Sequence, residues 1–485
     1  SVTIEVHMSG GLPSLSIVGL PEKAVNESKE RVRSALINAG FEFPRCRMTV
    51  NMAPADLPKE GGRFDLAIAV GILVASAQLP ATAVKDLELI GELALSGRLR
   101  AVRGVLPAAL ACRAQGRGLL VAADNGDEAA LARGLEVFAA DDLLAVTRHL
   151  TGQQRLEPRE SPGVDLQAVA DVADLSDVKG QLQAKRALEV AAAGGHNLLL
   201  SGVPGSGKSM LAQRLPGILP PLTEQQLLEV AAIHSVAGLI SSDQLPRGRP
   251  WRAPHHSASG AALVGGGSQP RPGEVSLAHH GLLFLDELPE FNRQVLEVLR
   301  EPLETGQILI ARAARRTEFP ARFQLVAAMN PCPCGYAGEP GNRCRCHGDQ
   351  IQRYQNRISG PLLDRIDLQL RVPAPSREEL LLDCAAGETS AQVRARVIAA
   401  SEVQLARQGQ LNGTLAGREL EAHCQLAAAD QHMLLDAIER LQLSARAYHR
   451  ILRVARTIAD LAGETAVGQA HLLEALSYRS MPRPV

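Results

Sequence analysis

Hydrophobic and polar positions divide this chain into stretches of different rhythm. In residues 1–152, Thr3–His7, Leu15–Val18 and Arg47–Met52 alternate apolar and polar side chains, which predicts half-buried strands. A helix is expected near Ala24–Asn38, and the Ala-rich run Phe64–Ala77 predicts another. Residues 153–167 are polar, lack periodicity and contain Pro158, Pro162 and Gly163, so they read as a linker. A second α/β region follows over 168–375, marked by short apolar runs that predict buried strands. From 376 to 485 Leu, Ala, Arg and Glu dominate and strand signals cease, so this part is expected to be helical. No internal repeat is present.

The apolar runs of the middle region end in chemistry. Asn197-Leu198-Leu199-Leu200 leads into Gly202-Val203-Pro204-Gly205-Ser206-Gly207-Lys208-Ser209, and Met210 onward reads as a helix. This is a complete G-x-x-x-x-G-K-S phosphate-binding loop between strand and helix. Its glycines let backbone N–H groups curl around phosphate oxygens. Lys208 is expected on the β- and γ-phosphates and Ser209 on Mg²⁺. The run Gly281–Leu285 ends in Asp286-Glu287, a Walker B pattern. There Asp286 is expected to hold Mg²⁺ through water and Glu287 to polarise the attacking water. Phe323–Ala328 leads to Asn330, a strand-end polar residue suited to orienting that water, where a plain turn residue is the alternative.

Other candidates depend more on position. Val178 and Gln181, ahead of the P-loop, lie where adenine is expected. Arg365, in Gly360–Leu368, stands where ring ATPases supply an arginine to a neighbouring subunit's ATP. Arg446 begins a helix with Arg450, Arg453 and Arg456; it is either a second sensor reaching its own subunit's γ-phosphate or part of a basic face. Cys332-x-Cys334 and Cys344-x-Cys346 offer four thiolates for a structural Zn²⁺, with a redox pair or unligated thiols as alternatives. Gln307–Phe319 reads as a hairpin whose Arg312, Arg315 and Arg316 suit phosphate contacts, or simply form a solvated basic turn. Trp251 stacks on a base or anchors its loop. His255, His256, His279 and His280 read as structural hydrogen-bonders rather than metal ligands.

Composition narrows the class. The 485 residues are 46% hydrophobic and 21% charged, as in a soluble globular protein. Aromatic content of 3% makes the cores aliphatic, and a net charge of −1 does not announce a nucleic-acid binder. No apolar run reaches membrane-spanning length, so no membrane association is expected. The clustered cysteines suit a reducing, cytoplasmic setting. The chain starts mid-pattern without Met, as though its first residues were missing.

Together these residues resemble the ComM/YifB family of magnesium-chelatase-like AAA+ ATPases. The matching stretches include Ser34–Asn38, Asn51–Gly62, Arg252–Ser259, the Walker B stretch to Phe291, and Asn330–Gly335. The resemblance implies an AAA+ P-loop core with a parallel sheet and helical lid. Ahead of it comes an α/β domain similar to the Lon protease domain, of the ribosomal S5 domain 2-like type. It further implies a homohexameric, DNA-dependent ATPase using ATP and Mg²⁺. Such a motor would act on single-stranded and branched DNA, promoting branch migration in natural transformation alongside recombinase machinery. The run similar to Lon's nucleophile motif carries Arg63 in the nucleophile's place, and Val105–Ala108 supplies no Lys, so proteolysis is not expected. The competing reading is a protein-remodelling ATPase like the magnesium-chelatase motor subunit.

Overall fold

The computed structural model describes residues 2–19, 23–55, 57, 59, 61–163, 173–240, 248–266, 270–312, 315–339, 343–374 and 387–479. The chain forms two compact units: Ser1–Val164 with Ala231–Pro246, and Asp165–Val230 with Arg247–Val485.

In the first unit, β1 (Thr3–Ser9) and β2 (Ser14–Val18) flank β3 (Arg47–Ala53), antiparallel and parallel to it respectively. Helices α1 (Lys23–Asn38) and α2 (Asp65–Ala75) belong to the same layer system. Leu66, Ile68, Ala69, Val70, Ile72 and Leu73 of α2 are all buried, which is why this helix reads as apolar almost all round. A second, parallel sheet has the order β4 (Leu87–Ile90), β5 (Gly118–Ala122), β6 (Val137–Ala140). The segment read as a linker is partly tied down. Arg159 N donates to Val137 O at 2.7 Å, and Pro158 bridges Phe138. The open edge of β6 supplies backbone groups that need partners.

The second unit holds β7 (Leu198–Ser201), β8 (Trp251–Arg252), β9 (Leu282–Leu285), the antiparallel hairpin β10 (Gln307–Arg312) and β11 (Arg315–Pro320), β12 (Gln324–Met329) and β13 (Leu368–Arg371). Five of these make a parallel sheet in the order β8-β9-β12-β7-β13. Every residue of β7, β9 and β12 is buried, as expected of strands covered on both faces. The chain leaves β7 for the far edge at β8, returns through β9 and β12, then crosses β7 to reach β13. Strand order therefore reverses beside β7, and the crevice at the carboxyl ends of β7 and β12 is where such sheets bind ligands.

Helices α3 (Leu182–Gly194), α4 (Lys208–Ile218) and α5 (Glu224–Ala237) follow the chain around the sheet, and α6 (Ser390–Gln408), α7 (Ala445–Ala462) and α8 (Gln469–Ser477) form the helical part. The helical part and the sheet share one hydrophobic core. Buried polar contacts fasten them: His196 Nε2 lies 2.8 Å from Thr457 Oγ1, and Arg450 donates to Asp367 Oδ1 at 2.6 Å. The two regions separated in the sequence at 375 are thus a single unit. Conversely, residues 231–240, which the sequence places in the middle region, pack with the first unit; Gly104 N donates to Ser235 O there at 3.1 Å.

Candidate nucleotide-binding site

The loop after β7 is shaped by its glycines. Gly205 and Gly207 have φ of +78° and +88°, in the left-handed region. A Cβ at Gly202 would sit 2.3 Å from Val372 O, so no side chain fits there. Gly207 caps α4, whose N-terminus points free N–H groups toward the loop. Val203 and Ser206 are buried and Met210 is half-exposed.

Lys208 is buried and fully engaged. Its ammonium donates to Gly202 O at 2.8 Å, Val203 O at 2.9 Å and Asn330 Oδ1 at 3.2 Å. Burial pushes its pKa down, and Asp286 opposes that shift. Ser209 Oγ donates to Asp286 Oδ2 at 2.8 Å. This hydroxyl and carboxylate form a hard-oxygen pair that fits Mg²⁺. The structure therefore brings Lys208, Ser209, Asp286 and Asn330 together from three strand ends. Gln181, at φ +51°, donates to Ser206 O at 2.7 Å, and its buried Oε1 has no partner among the described residues. That orphan acceptor fits an adenine amino group. Val178 is buried nearby in sequence.

Glu287 behaves differently. Its backbone is left-handed, with φ +52°, and its carboxylate lies 3.3 Å from His256 Nδ1. The sequence does not reveal this pairing, because the residues sit on separate loops.

Arg365 is 6% exposed, donates to Pro361 O at 2.7 Å and pairs with Glu304. Burial lowers its pKa, Glu304 resists, and the charges of Arg300 and Arg446 add to the lowering. Arg446 is exposed, and its charge is felt at Arg365.

Cys332, Cys334, Cys344 and Cys346 place their sulfurs within 4.8 Å of one another. Three separations are 3.3, 3.6 and 3.8 Å, close to the roughly 3.8 Å edge of a tetrahedral Zn–S₄ site. Backbone amides of Tyr336 and Arg345 hold the Cys334 thiol down to about 6, while the thiols of Cys344 and Cys346 lie above their ordinary value. The thiol loop leans on the P-loop: a Cβ at Gly335 would meet Pro204 at 2.6 Å.

The expected hairpin is present as β10–β11 with Arg312 opposite Arg315. Arg316 is exposed; the side chains of Arg312 and Arg315 lie outside the described residues. Trp251 stacks on Phe284 at 5.3 Å, packed against the core, so it anchors its segment. His279 and His280 share Glu229, at 3.2 and 2.7 Å. His279 Nδ1 also accepts from Arg322 N, which leaves Nε2 as the protonated donor and not a metal ligand. In the first unit Arg63 donates to the carbonyl of Arg103 as a structural contact. No helix among the described residues is long and apolar enough to cross a membrane.

A five-stranded parallel sheet with a P-loop at its switch point and acidic and amide residues on the adjacent strand ends defines an α/β P-loop nucleotide-binding core. Comparison with known proteins gives the family. Residues 174–380 match the model described as magnesium chelatase, subunit ChlI; residues 4–125 match subunit ChlI of Mg-chelatase; and residues 387–479 match the ChlI C-terminal model. The chain is 53% identical to competence protein ComM of Haemophilus influenzae, over 99% of this chain and 95% of the relative. It is 52% identical to the uncharacterized protein YifB of Escherichia coli, over 99% and 94%. A magnesium-chelatase 38 kDa subunit from Cereibacter sphaeroides is 25% identical over 64% of this chain and 92% of its own length. The chain belongs to the ComM/YifB family of magnesium-chelatase-like AAA+ proteins, a class that uses ATP and Mg²⁺.

Proposed function

We propose that this protein is a homohexameric, ATP-driven DNA motor that promotes branch migration of recombination intermediates during uptake of DNA. The name of the Haemophilus relative, a competence protein, supports the setting. The observation that carries the reading is the position of the basic hairpin β10–β11. It is inserted between β9, which ends in Asp286 and Glu287, and β12, which leads to Asn330. An element hung between two strands of the hydrolytic site moves when that site rearranges.

In this reading Lys208 binds the β- and γ-phosphates. Ser209 and Asp286 hold Mg²⁺, which neutralises phosphate charge when bound. Glu287 takes the proton of the attacking water and Asn330 orients it. Val178 and Gln181 flank adenine. Arg365, swung away from Glu304, serves a neighbouring subunit's ATP, and its fork spreads over the phosphoryl oxygens. Arg446, as a second sensor, reaches the γ-phosphate of its own subunit's ATP. Arg312, Arg315 and Arg316 contact DNA phosphates without reading sequence. Cys332, Cys334, Cys344 and Cys346 hold a structural Zn²⁺ that braces the loop beside the P-loop.

The test is steady-state ATP hydrolysis by the full chain with no DNA, with single strands and with forked duplex. Several-fold, salt-sensitive stimulation is expected. Failure of both DNA forms to stimulate would remove the motor reading. Protein remodelling, supported by the match to the magnesium-chelatase subunit, would then take its place.

A further inference from the structure

We infer that Arg450 is a positioning residue: from helix α7 it fixes the backbone of Arg365 and so sets where that guanidinium is delivered. The inference rests on the reading of Arg365 as an arginine lent to a neighbouring subunit's ATP, and it adds the group that aims it.

Arg365 stands in a short connection. The helix Gly360–Leu363 ends just before it, and β13 starts at Leu368. Its side chain donates to Pro361 O at 2.7 Å and pairs with the exposed Glu304 carboxylate. A guanidinium that serves another subunit has to leave Glu304. Its side-chain contacts therefore do not fix its working position, and that task falls to the backbone.

The backbone is held from two sides. Arg365 O accepts from Arg450 Nη1 and from Asn197 Nδ2, each at 3.1 Å. The same Arg450 nitrogen donates to Asp367 Oδ1 at 2.6 Å, while Asp367 Oδ2 accepts from Asn197 N at 3.0 Å. Arg450 and Asn197 thus share the same two acceptors, one carbonyl and one carboxylate. Asn197 belongs to the sheet side, because its Oδ1 accepts from Leu325 N at 2.8 Å. Arg450 comes from the helical side. Its side chain is 16% exposed and that of Asp367 3%, so these charge-assisted bonds are shielded from water.

Helix α7 is a firm base for this grip. Ile451, Val454 and Ile458 are buried in the core shared with the sheet, and Thr457 meets His196 at 2.8 Å. Without the Arg450 guanidinium, Arg365 O keeps Asn197 alone and the buried Asp367 loses its charged partner. The turn is then free to tilt, and a small tilt at its base grows along the length of an arginine side chain. A misplacement of about 1 Å far from the chemistry costs on the order of 10² in rate.

The experiment uses the full-length protein as wild type, Arg450→Met, Arg450→Lys and Arg365→Ala. A melting curve and sizing with nucleotide establish that each variant is folded and assembled. Then kcat and KM for Mg-ATP are measured for each variant alone and mixed with Glu287→Gln subunits. Arg450→Met keeps the apolar stem and loses the donors, so kcat should fall about 10- to 100-fold. KM should stay within about twofold, since the nucleotide's own contacts are untouched. Arg450→Lys keeps a charged donor and should recover most of the lost rate. Glu287→Gln subunits hydrolyse poorly but carry an intact Arg365 turn. Adding them should raise turnover per Arg450→Met subunit several-fold, because the defect lies in the arginine each subunit lends and not in the site it holds.

An unchanged kcat in Arg450→Met overturns the inference. So does a fall with no recovery in the mixture, which would place the defect in the subunit's own site. Asp367→Asn keeps its volume and weakens the acceptor of Arg450. If Arg450→Met does not assemble, Asp367→Asn should show a smaller loss of kcat with the same recovery, and its absence overturns the inference equally. The Arg365→Ala mixture reads the underlying mechanism. Recovery there without recovery for Arg450→Met sinks this inference alone, whereas recovery for neither removes the role of Arg365 across the boundary as well.

Discussion

The ammonium of Lys208 meets the side-chain oxygen of Asn330 at 3.2 Å, joining the P-loop after β7 to the end of β12. The amide therefore touches the phosphate-binding group directly while lying outside the P-loop itself. Asn330→Ala should leave nucleotide affinity within about threefold and reduce turnover by roughly 10²–10³, the loss expected for one transition-state hydrogen-bond donor. Lys208→Ala should instead abolish tight binding. Fluorescent-nucleotide titration alongside single-turnover hydrolysis separates the two effects.

In the proposed mechanism Glu287 is the general base and Arg365 acts across a subunit boundary. Glu287→Gln should bind ATP normally and hydrolyse it about 10²–10⁴-fold more slowly. Arg365→Ala should reduce hydrolysis by about 10³ or more. Mixing Arg365→Ala subunits with Glu287→Gln subunits should restore part of the activity. A mixture of assembled rings with no recovery would show that Arg365 serves its own subunit or none.

Purified protein should contain about one zinc per chain, bound by four thiolates. Cys344→Ser should lose most of it. Because Gly335 packs on Pro204, the zinc-poor protein should also bind nucleotide several-fold more weakly. Equal zinc in wild type and Cys344→Ser would exclude the four-thiolate site.

The Glu229–His279–His280 cluster gives the second unit an acid-sensitive contact. Burial and the neighbouring His280 lower His279 from 6.5 to about 4, so between those values the unfolded chain binds the extra proton and stability falls as pH falls. Burial alone would raise Glu229, but the two imidazoles hold it at about 2, below its ordinary 4.5. Its contribution is present above pH 4.5 and is lost as pH falls toward 2. Calorimetry should show the second unit's melting temperature dropping as pH goes from 6.5 toward 4. His279→Asn, which keeps an acceptor for Arg322 N, should flatten that slope. An unchanged slope would mean the cluster does not contribute.

Asp65 is fully buried in the first unit and receives Arg31 Nε at 2.7 Å and Leu93 N at 3.3 Å. Asp65→Ala removes the buried carboxylate that the Arg31 guanidinium and Leu93 N share and should cost about 3 kcal/mol. The first unit's unfolding transition should shift down in denaturant, with the second unit's transition unchanged.

The sequence by itself determined the chemistry at the strand ends. Gly202–Ser209, Asp286-Glu287 and Asn330 each follow a short apolar run, and a buried strand followed by a turn is a local signal. The hairpin and the four cysteines were legible for the same reason, since their partners lie within a few residues of one another. Tertiary structure decided what depends on distant partners. Periodicity shows that β7 is buried but not that it lies between β12 and β13. Nothing local marks Arg365 as buried against Glu304, Arg446 as its neighbour, or the end of α5 as part of the first unit. Nor does it bring His256 to Glu287. An apolar pattern states that a face must be covered, whereas the covering partner is chosen by packing and charge across the whole fold.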